Sequence, residues 1–162
     1  MTLKVGIISD THGLLRAEVF EVFEGVDHIL HAGDFGDVGI LDELAAIAPV
    51  TGVWGNVDGW DVRGRVPEVA QVELAGARVV VLHGLRFGSP TPEKAAAAYP
   101  DADLVVFGHS HRPVVRQVGS VLAVNPGSAG RQRFRDPVTV ALAEIEGGRV
   151  TARLVELDPA RK

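Results

Sequence analysis

Five short polar motifs carry residues able to do chemistry: Asp10-Thr11-His12, Gly33-Asp34, Gly55-Asn56-Val57-Asp58, His83-Gly84 and Gly108-His109-Ser110-His111. Asp10 and Asp34 offer hard anionic oxygen, and Asn56 a neutral carbonyl oxygen. His12, His83, His109 and His111 offer imidazole nitrogen. Divalent first-row metals accept such mixed sets. Seven donors exceed what a tetrahedral site needs. They suit two metals of higher coordination that share one carboxylate and are completed by water. Two such cations bring four positive charges, and two carboxylates with a bridging hydroxide remove about three, leaving roughly +1. That favours an anionic substrate. A phosphate ester is the natural candidate, because paired metals can activate hydroxide and neutralise phosphoryl oxygens together.

Each motif alone has a plainer reading. Asp10 could cap a following helix. Gly33-Asp34 and Gly55-Asn56 are ordinary turn pairs. His83-Gly84 says little by itself. Gly108-His109-Ser110-His111 is the sharpest, with two histidines two residues apart. The set gains force from its placement, since every motif follows an apolar run. Leu3–Ser9, Asp27–Ala32 and Pro49–Trp54 read as buried strands. Between them, Leu15, Val19, Val22 and Phe23, then Ile40, Leu41, Leu44, Ile47 and Ala48, recur at helical spacing. Strand–helix alternation implies parallel strands, and ligands of α/β sheets bind beyond the carboxyl ends of strands.

The second half changes character. Ala70, Val72 and Leu74 alternate with polar residues, and Arg78–Leu82 and Asp103–Phe107 are valine-rich. Gly119-Ser120 and Gly147-Gly148 separate Val114–Val118 from Val121–Val124, and Val138–Ile145 from Val150–Leu157, as hairpin turns do. Thr91-Pro92-Glu93 reads as the start of a short helix over Thr91–Tyr99. Two sheets packed face to face, with helices outside, accommodate both halves in one domain over residues 1–162. The chain has no cysteine, so thiolate sites and disulfides are excluded. A net charge of −5 argues against extended nucleic-acid binding. No apolar run approaches the ~20 residues that span a bilayer, and Ser9 and Asp10 interrupt any leader-like stretch. The expectation is a cytoplasmic protein with no membrane partner.

The order D-x-H, G-D, G-N, H-G and G-H-x-H resembles the calcineurin-like metallophosphoesterase superfamily, from Lys4 to about Ser128. The short length and Asn125-Pro126-Gly127-Ser128 make the chain similar to the small bacterial and archaeal phosphodiesterases of the YfcE type. The resemblance implies an α/β fold, a four-layer αββα sandwich of two mixed sheets flanked by helices. It implies two divalent ions, commonly manganese, with nickel, cobalt, iron or zinc accepted by other members. Asp10, His12, Asp34 and His111 would hold the first, and Asp34, Asn56, His83 and His109 the second. The implied reaction is attack of a metal-bridging hydroxide on a phosphodiester, with Asp34, Asn56 and His83 carrying the catalysis. Similar proteins suggest a homodimer. Many members carry G-N-H-[DE], whose histidine helps to protonate the leaving group; here Val57 stands in its place. That implies preference for esters with good leaving groups. Asp58 is expected to orient a ligand histidine, and His31 to support the site from behind the ligands.

Other polar residues have plainer readings. His28 is expected to face solvent or a helix. Arg131, Arg133 and Arg135 read first as charges on a solvated edge strand, and second as phosphate contacts. Trp60 and Arg63 either rim the site or, as loop residues more often do, pack locally. A retromer subunit resembles the same fold yet serves mainly in binding, so a non-catalytic scaffold is the alternative function. The complete donor set favours catalysis. A zinc amide hydrolase would want an H-E-x-x-H pattern, which is missing.

Overall fold

The computed structural model describes residues 1–133 and 135–161. The β-branched runs form ten strands among the described residues: β1 Leu3–Ile8, β2 His28–His31, β3 Val50–Gly52, β4 Val69–Leu74, β5 Ala77–Leu82, β6 Leu104–Val106, β7 Val114–Val118, β8 Val121–Asn125, β9 Val138–Glu146 and β10 Arg149–Leu157. Four short helices join them: α1 Ala17–Val22, α2 Gly39–Ala45, α3 Trp60–Arg63 and α4 Pro92–Ala98. One sheet runs β10-β9-β1-β2-β3 and the other β4-β5-β6-β8-β7. The β1-β2-β3 and β5-β6-β8 ladders are parallel, and the remaining pairs are antiparallel. Both glycine-marked hairpins form, as β7-β8 and β9-β10.

The layers follow from which faces are apolar. Val5, Ile7 and Leu30 of the first sheet, with Val53 just beyond β3, meet Val79, Val81, Leu104, Val106 and Val124 of the second in the central core. Ile8, Ile29 and Val140 face the other way, against Val19 and Phe23, Ile40, Leu41 and Leu44, and Val62. Val80, Leu82, Val105 and Ala123 pack under Ala95 and Ala96 of α4. The result is the four-layer αββα sandwich that the pattern and the resemblance led us to expect. Strands buried on both faces have no polar side, which is why they read as continuous apolar runs. Thr91 caps α4 as its sequence implied, its hydroxyl accepting from the Lys94 N–H at 3.2 Å.

Four local expectations need correction. The third strand ends at Gly52 rather than Trp54, because the Trp54 N–H turns to the Pro67 carbonyl at 3.0 Å. His28 neither faces a helix nor projects freely. Its Nε2 lies 2.8 Å from Thr51 Oγ1 across the β2–β3 pair, and burial lowers its pKa. Arg131, Arg133 and Arg135 are exposed, but on an irregular stretch rather than a strand. Trp60 starts helix α3 and is 87% exposed, so it does not pack locally. Arg63 does: its guanidinium lies over Trp54 at 4.1 Å and its Nε donates to the Asp58 carbonyl at 2.8 Å.

Candidate metal centre

The five motifs converge because the parallel strands of both sheets end at the same edge. Beyond β1 and β2 the chains stay paired: the Asp10, His12 and Gly13 N–H groups donate to the Gly33, Asp34 and Phe35 carbonyls at 3.0, 3.0 and 2.7 Å. Beyond β5 and β6 the Gly108 N–H donates to the His83 carbonyl at 3.1 Å. Two bonds then cross between the sheets. His83 Nδ1 lies 2.8 Å from the Ala32 carbonyl, and the His109 N–H donates to Asp10 Oδ2 at 3.2 Å. The candidate centre therefore straddles the two sheets.

The turns are strained where they present side chains. Six described non-glycine residues have positive φ, and five are Asp10, His12, Asp34, His109 and His111. Each such residue costs about 1 kcal/mol or more, and such strain gathers at functional sites. Gly36, at φ +80°, permits a close approach of two turns, since a methyl group there would overlap the backbone of His12 and Gly13.

Each carboxylate spends one oxygen on the protein and turns the other inward. Asp10 Oδ2 accepts from the Ser9 hydroxyl at 2.6 Å and from the His109 N–H. Asp10 Oδ1 is buried and has no hydrogen-bond partner. It points at imidazoles, 3.2 Å from His111 Nε2, 3.5 Å from His12 Nε2 and 4.0 Å from His83 Nε2. Asp34 Oδ1 accepts from the Val57 N–H at 3.0 Å, which leaves Oδ2 at 3.2 Å from His83 Nε2 and 3.7 Å from His12 Nε2. His12 and His111 bring their Nε2 atoms to 3.3 Å, and His109 Nδ1 lies 3.3 Å from His83 Nε2. Asn56 Oδ1 lies 3.0 Å from His83 Nε2. All seven expected donors are thus brought together, in two groups with Asp34 Oδ2 between them. Asp10 also reaches the second group, beside Asp34 and His83.

These donors fit divalent cations. The bond to Ala32 assigns the proton of neutral His83 to Nδ1, so its Nε2 lone pair faces the oxygens of Asp34 and Asn56. Lone pair against lone pair is unfavourable unless a cation or a proton lies between them. The protein alone answers with protons. Burial works against charge on His83, yet the bond to Asp34 and the field of Asp10 outweigh it and raise its pKa. Burial likewise opposes ionisation of Asp10, but His111, His12, His83 and Ser9 together hold its carboxyl well below the usual range. His109 is shifted down, by burial and then by the charge of His83.

Two supporting residues differ in how well their roles were anticipated. His31 is fully buried behind the centre, stacked on Phe35 at 3.6 Å. Its Nδ1 accepts from the Gly33 N–H at 3.0 Å, and its Nε2 lies 3.2 Å from Thr11 Oγ1, so it ties the Asp10 and Asp34 turns together. Asp58 touches no histidine, contrary to expectation. Its carboxylate accepts three backbone N–H groups: Asp34 at 2.9 Å, Gly55 at 2.8 Å and Gly36 at 3.0 Å. It binds the Asp34 turn to the Asn56 turn. Ser9 and Asn125 also buttress the centre and were not picked out as site residues. Asn125 donates to the Gly108 carbonyl at 3.3 Å and to Ser110 Oγ at 3.0 Å. Its place at the end of another parallel strand was the available signal.

Burial, above all, pushes the pKa of His31 down to about 3, against about 6.5 in the unfolded chain. The folded imidazole stays neutral while the unfolded one takes a proton. Its stability contribution is therefore complete above pH 6.5 and is lost as pH falls towards 3, by about 1.4 kcal/mol per unit. Urea unfolding of the metal-free protein between pH 6.5 and 4.5 should show this slope, and His31→Gln should remove it. Parallel pH profiles for the two proteins would contradict the assignment.

A sequence profile of the calcineurin-like phosphoesterase superfamily domain matches residues 3–148. The chain belongs to the calcineurin-like phosphoesterase superfamily. A probable metallophosphoesterase of Methanothermobacter thermautotrophicus is 34% identical over 158 residues, covering 93% of this chain and 91% of that protein. The phosphodiesterase YfcE of Escherichia coli is 28% identical over 104 residues, covering 64% of this chain and 46% of YfcE. Vps29 of Chaetomium thermophilum matches in structure with a TM-score of 0.83 over 99% of this chain and 94% of its own, at 20% identity, which shows the shared fold alone. The superfamily uses divalent metals, and the convergent donors agree with membership. Among the described residues no helix is long and apolar enough to cross a membrane.

Proposed function

We propose that residues 1–162 form one phosphodiesterase domain that works with two divalent cations, manganese foremost. The observation that carries this reading is the division of labour within each buried carboxylate: one oxygen of Asp10 and of Asp34 is held by the protein, and the other faces imidazole nitrogens. Asp10, His12, Asp34 and His111 would hold one ion and Asp34, Asn56, His83 and His109 the other. When bound, the ions supply Lewis acidity towards phosphoryl oxygens and a hydroxide nucleophile near neutral pH. The protein's own part is positioning. Ala32 fixes the His83 ring, and the Val57 N–H fixes Asp34. Asn56 turns its carbonyl towards His83, which leaves its amide N–H groups free to donate to an ester oxygen. The Val57 side chain has no proton to give, and the residue is 51% exposed beside Asn56. Departure of the alcohol therefore depends on its own acidity, and aryl esters should react fastest.

Hydrolysis of bis(4-nitrophenyl) phosphate, with metal content measured in parallel, tests the reading. Turnover should appear with added manganese, disappear in chelator and fall steeply as the leaving group becomes more basic. Metal bound tightly with no turnover of any diester would favour the scaffold function instead. The likeness to Vps29 is compatible with a scaffold, but the relatives named as phosphoesterases are closer in sequence.

A further inference from the structure

We propose that the groove beside the His109–His111 turn binds a second phosphate of the substrate, through the Arg112 guanidinium and the Ser110 hydroxyl. The preferred esters would then carry a phosphate beyond the diester that is cleaved. This rests on the phosphodiesterase reading above. The groove, of ≈ 510 Å³, is lined by Pro90, Thr91, Phe107, Ser110, Arg112 and Arg116 among others, a size that accepts a small organic ligand. The groove adjoins the candidate centre through one turn of chain: Ser110 and Arg112, which line it, alternate in the sequence with the donors His109 and His111.

Ser110 is set up as a donor. Asn125 Oδ1 is occupied by the Gly127 N–H at 2.9 Å, which turns its amide nitrogen towards Ser110. Ser110 Oγ accepts from that nitrogen at 3.0 Å and from the Arg112 N–H at 3.3 Å. With both acceptor positions used, the hydroxyl proton has no acceptor among the described residues and can be given to a ligand. The charge in the groove points the same way. Glu93 also lines it, but both its oxygens lie 3.0 Å from Arg116 Nη1. Arg112 is exposed and has no carboxylate partner among the described residues, so it is the uncompensated charge. In a chain of net charge −5, a free cation next to a phosphoesterase centre is a local feature. Guanidinium and hydroxyl together match the acceptor oxygens of a phosphate.

A matched pair of substrates isolates this contact: the 4-nitrophenyl ester of thymidine 5′-phosphate, with and without a 3′-phosphate. The manganese-loaded wild type should prefer the 3′-phosphorylated ester in kcat/KM by about 10-fold, chiefly through KM. Arg112→Ala should collapse that ratio, Arg112→Lys should retain part of it, and Ser110→Ala should lower it. A wild type without preference, or an Arg112→Ala enzyme with the ratio intact, overturns the proposal. If the wild type cleaves neither ester, the phosphodiesterase reading fails on its own account. Calorimetric affinities for thymidine 3′,5′-bisphosphate and thymidine 5′-phosphate then decide the subsite. A bisphosphate advantage lost in Arg112→Ala supports it, and equal affinities in the wild type end it.

Discussion

Asp34→Asn is expected to lose manganese-dependent diester turnover by roughly 10³-fold and to take up less metal, while folding normally. The expectation follows from the two oxygens doing different work. Oδ1 accepts the Val57 N–H at 3.0 Å, and an asparagine carbonyl can do the same. Oδ2 faces His83 Nε2 at 3.2 Å and His12 Nε2 at 3.7 Å, and an amide nitrogen there carries hydrogens in place of a lone pair and a charge. The substitution thus removes an anionic atom that faces both donor groups and keeps the bond that shapes the turn. Thermal melts in chelator should leave the variant within a few degrees of wild type, with the manganese-induced rise in Tm reduced. Full metal-dependent turnover in Asp34→Asn would remove the shared role assigned to Asp34.

Much of this centre could be read from the sequence because each donor immediately follows an apolar run. Asp10 comes two residues after β1 ends at Ile8, and His83 directly after β5 ends at Leu82. Hydrophobic burial sets the strand, the strand sets where the chain emerges, and the donor type does the rest. What could not be read depends on how the sheets lie against each other. The bond from His83 to Ala32, and that from the His109 N–H to Asp10, join residues of different sheets, and nothing local in the sequence encodes them.

Backbone partners were equally hidden. Asp58 could be suspected of supporting the site but not of serving three N–H groups, because backbone donors leave no mark in residue type. Positive φ at Asp10, His12, Asp34, His109 and His111 was invisible for a related reason, since such conformations are expected at glycine. Arg16, the residue before α1, shows the limit of reading burial from residue type: an arginine belongs by type at the surface, yet it is buried and donates to the carbonyls of Gly130, Pro159 and Arg161 at 3.0, 3.2 and 2.7 Å. Only the arrival of the distant chain end makes that position interior. Helix α3 has four residues, too few for a 3.6-residue period to register.

Asp58→Ala should destabilise the metal-free protein by about 3–5 kcal/mol, because three backbone N–H groups lose their acceptor together. Asp58 is 4% exposed, so water replaces it poorly at the Asp34 and Gly55 amides, which share Oδ2. Asp58→Asn separates charge from shape. Its one carbonyl oxygen can keep those two bonds, but its NH2 group then faces the Gly36 N–H, donor against donor. The asparagine variant should therefore lose about 1–3 kcal/mol, less than alanine but well beyond a surface substitution. Both should weaken metal binding by roughly 10–100-fold, the usual cost of removing a group that orients a ligand. The Asp34 turn that Asp58 holds also carries the oxygen placed between the two donor groups. Urea unfolding in chelator gives the stability order, and competition with a chromogenic chelator gives the affinity. Asp58→Asn matching wild type in both would show that the carboxylate is not what fastens the two turns.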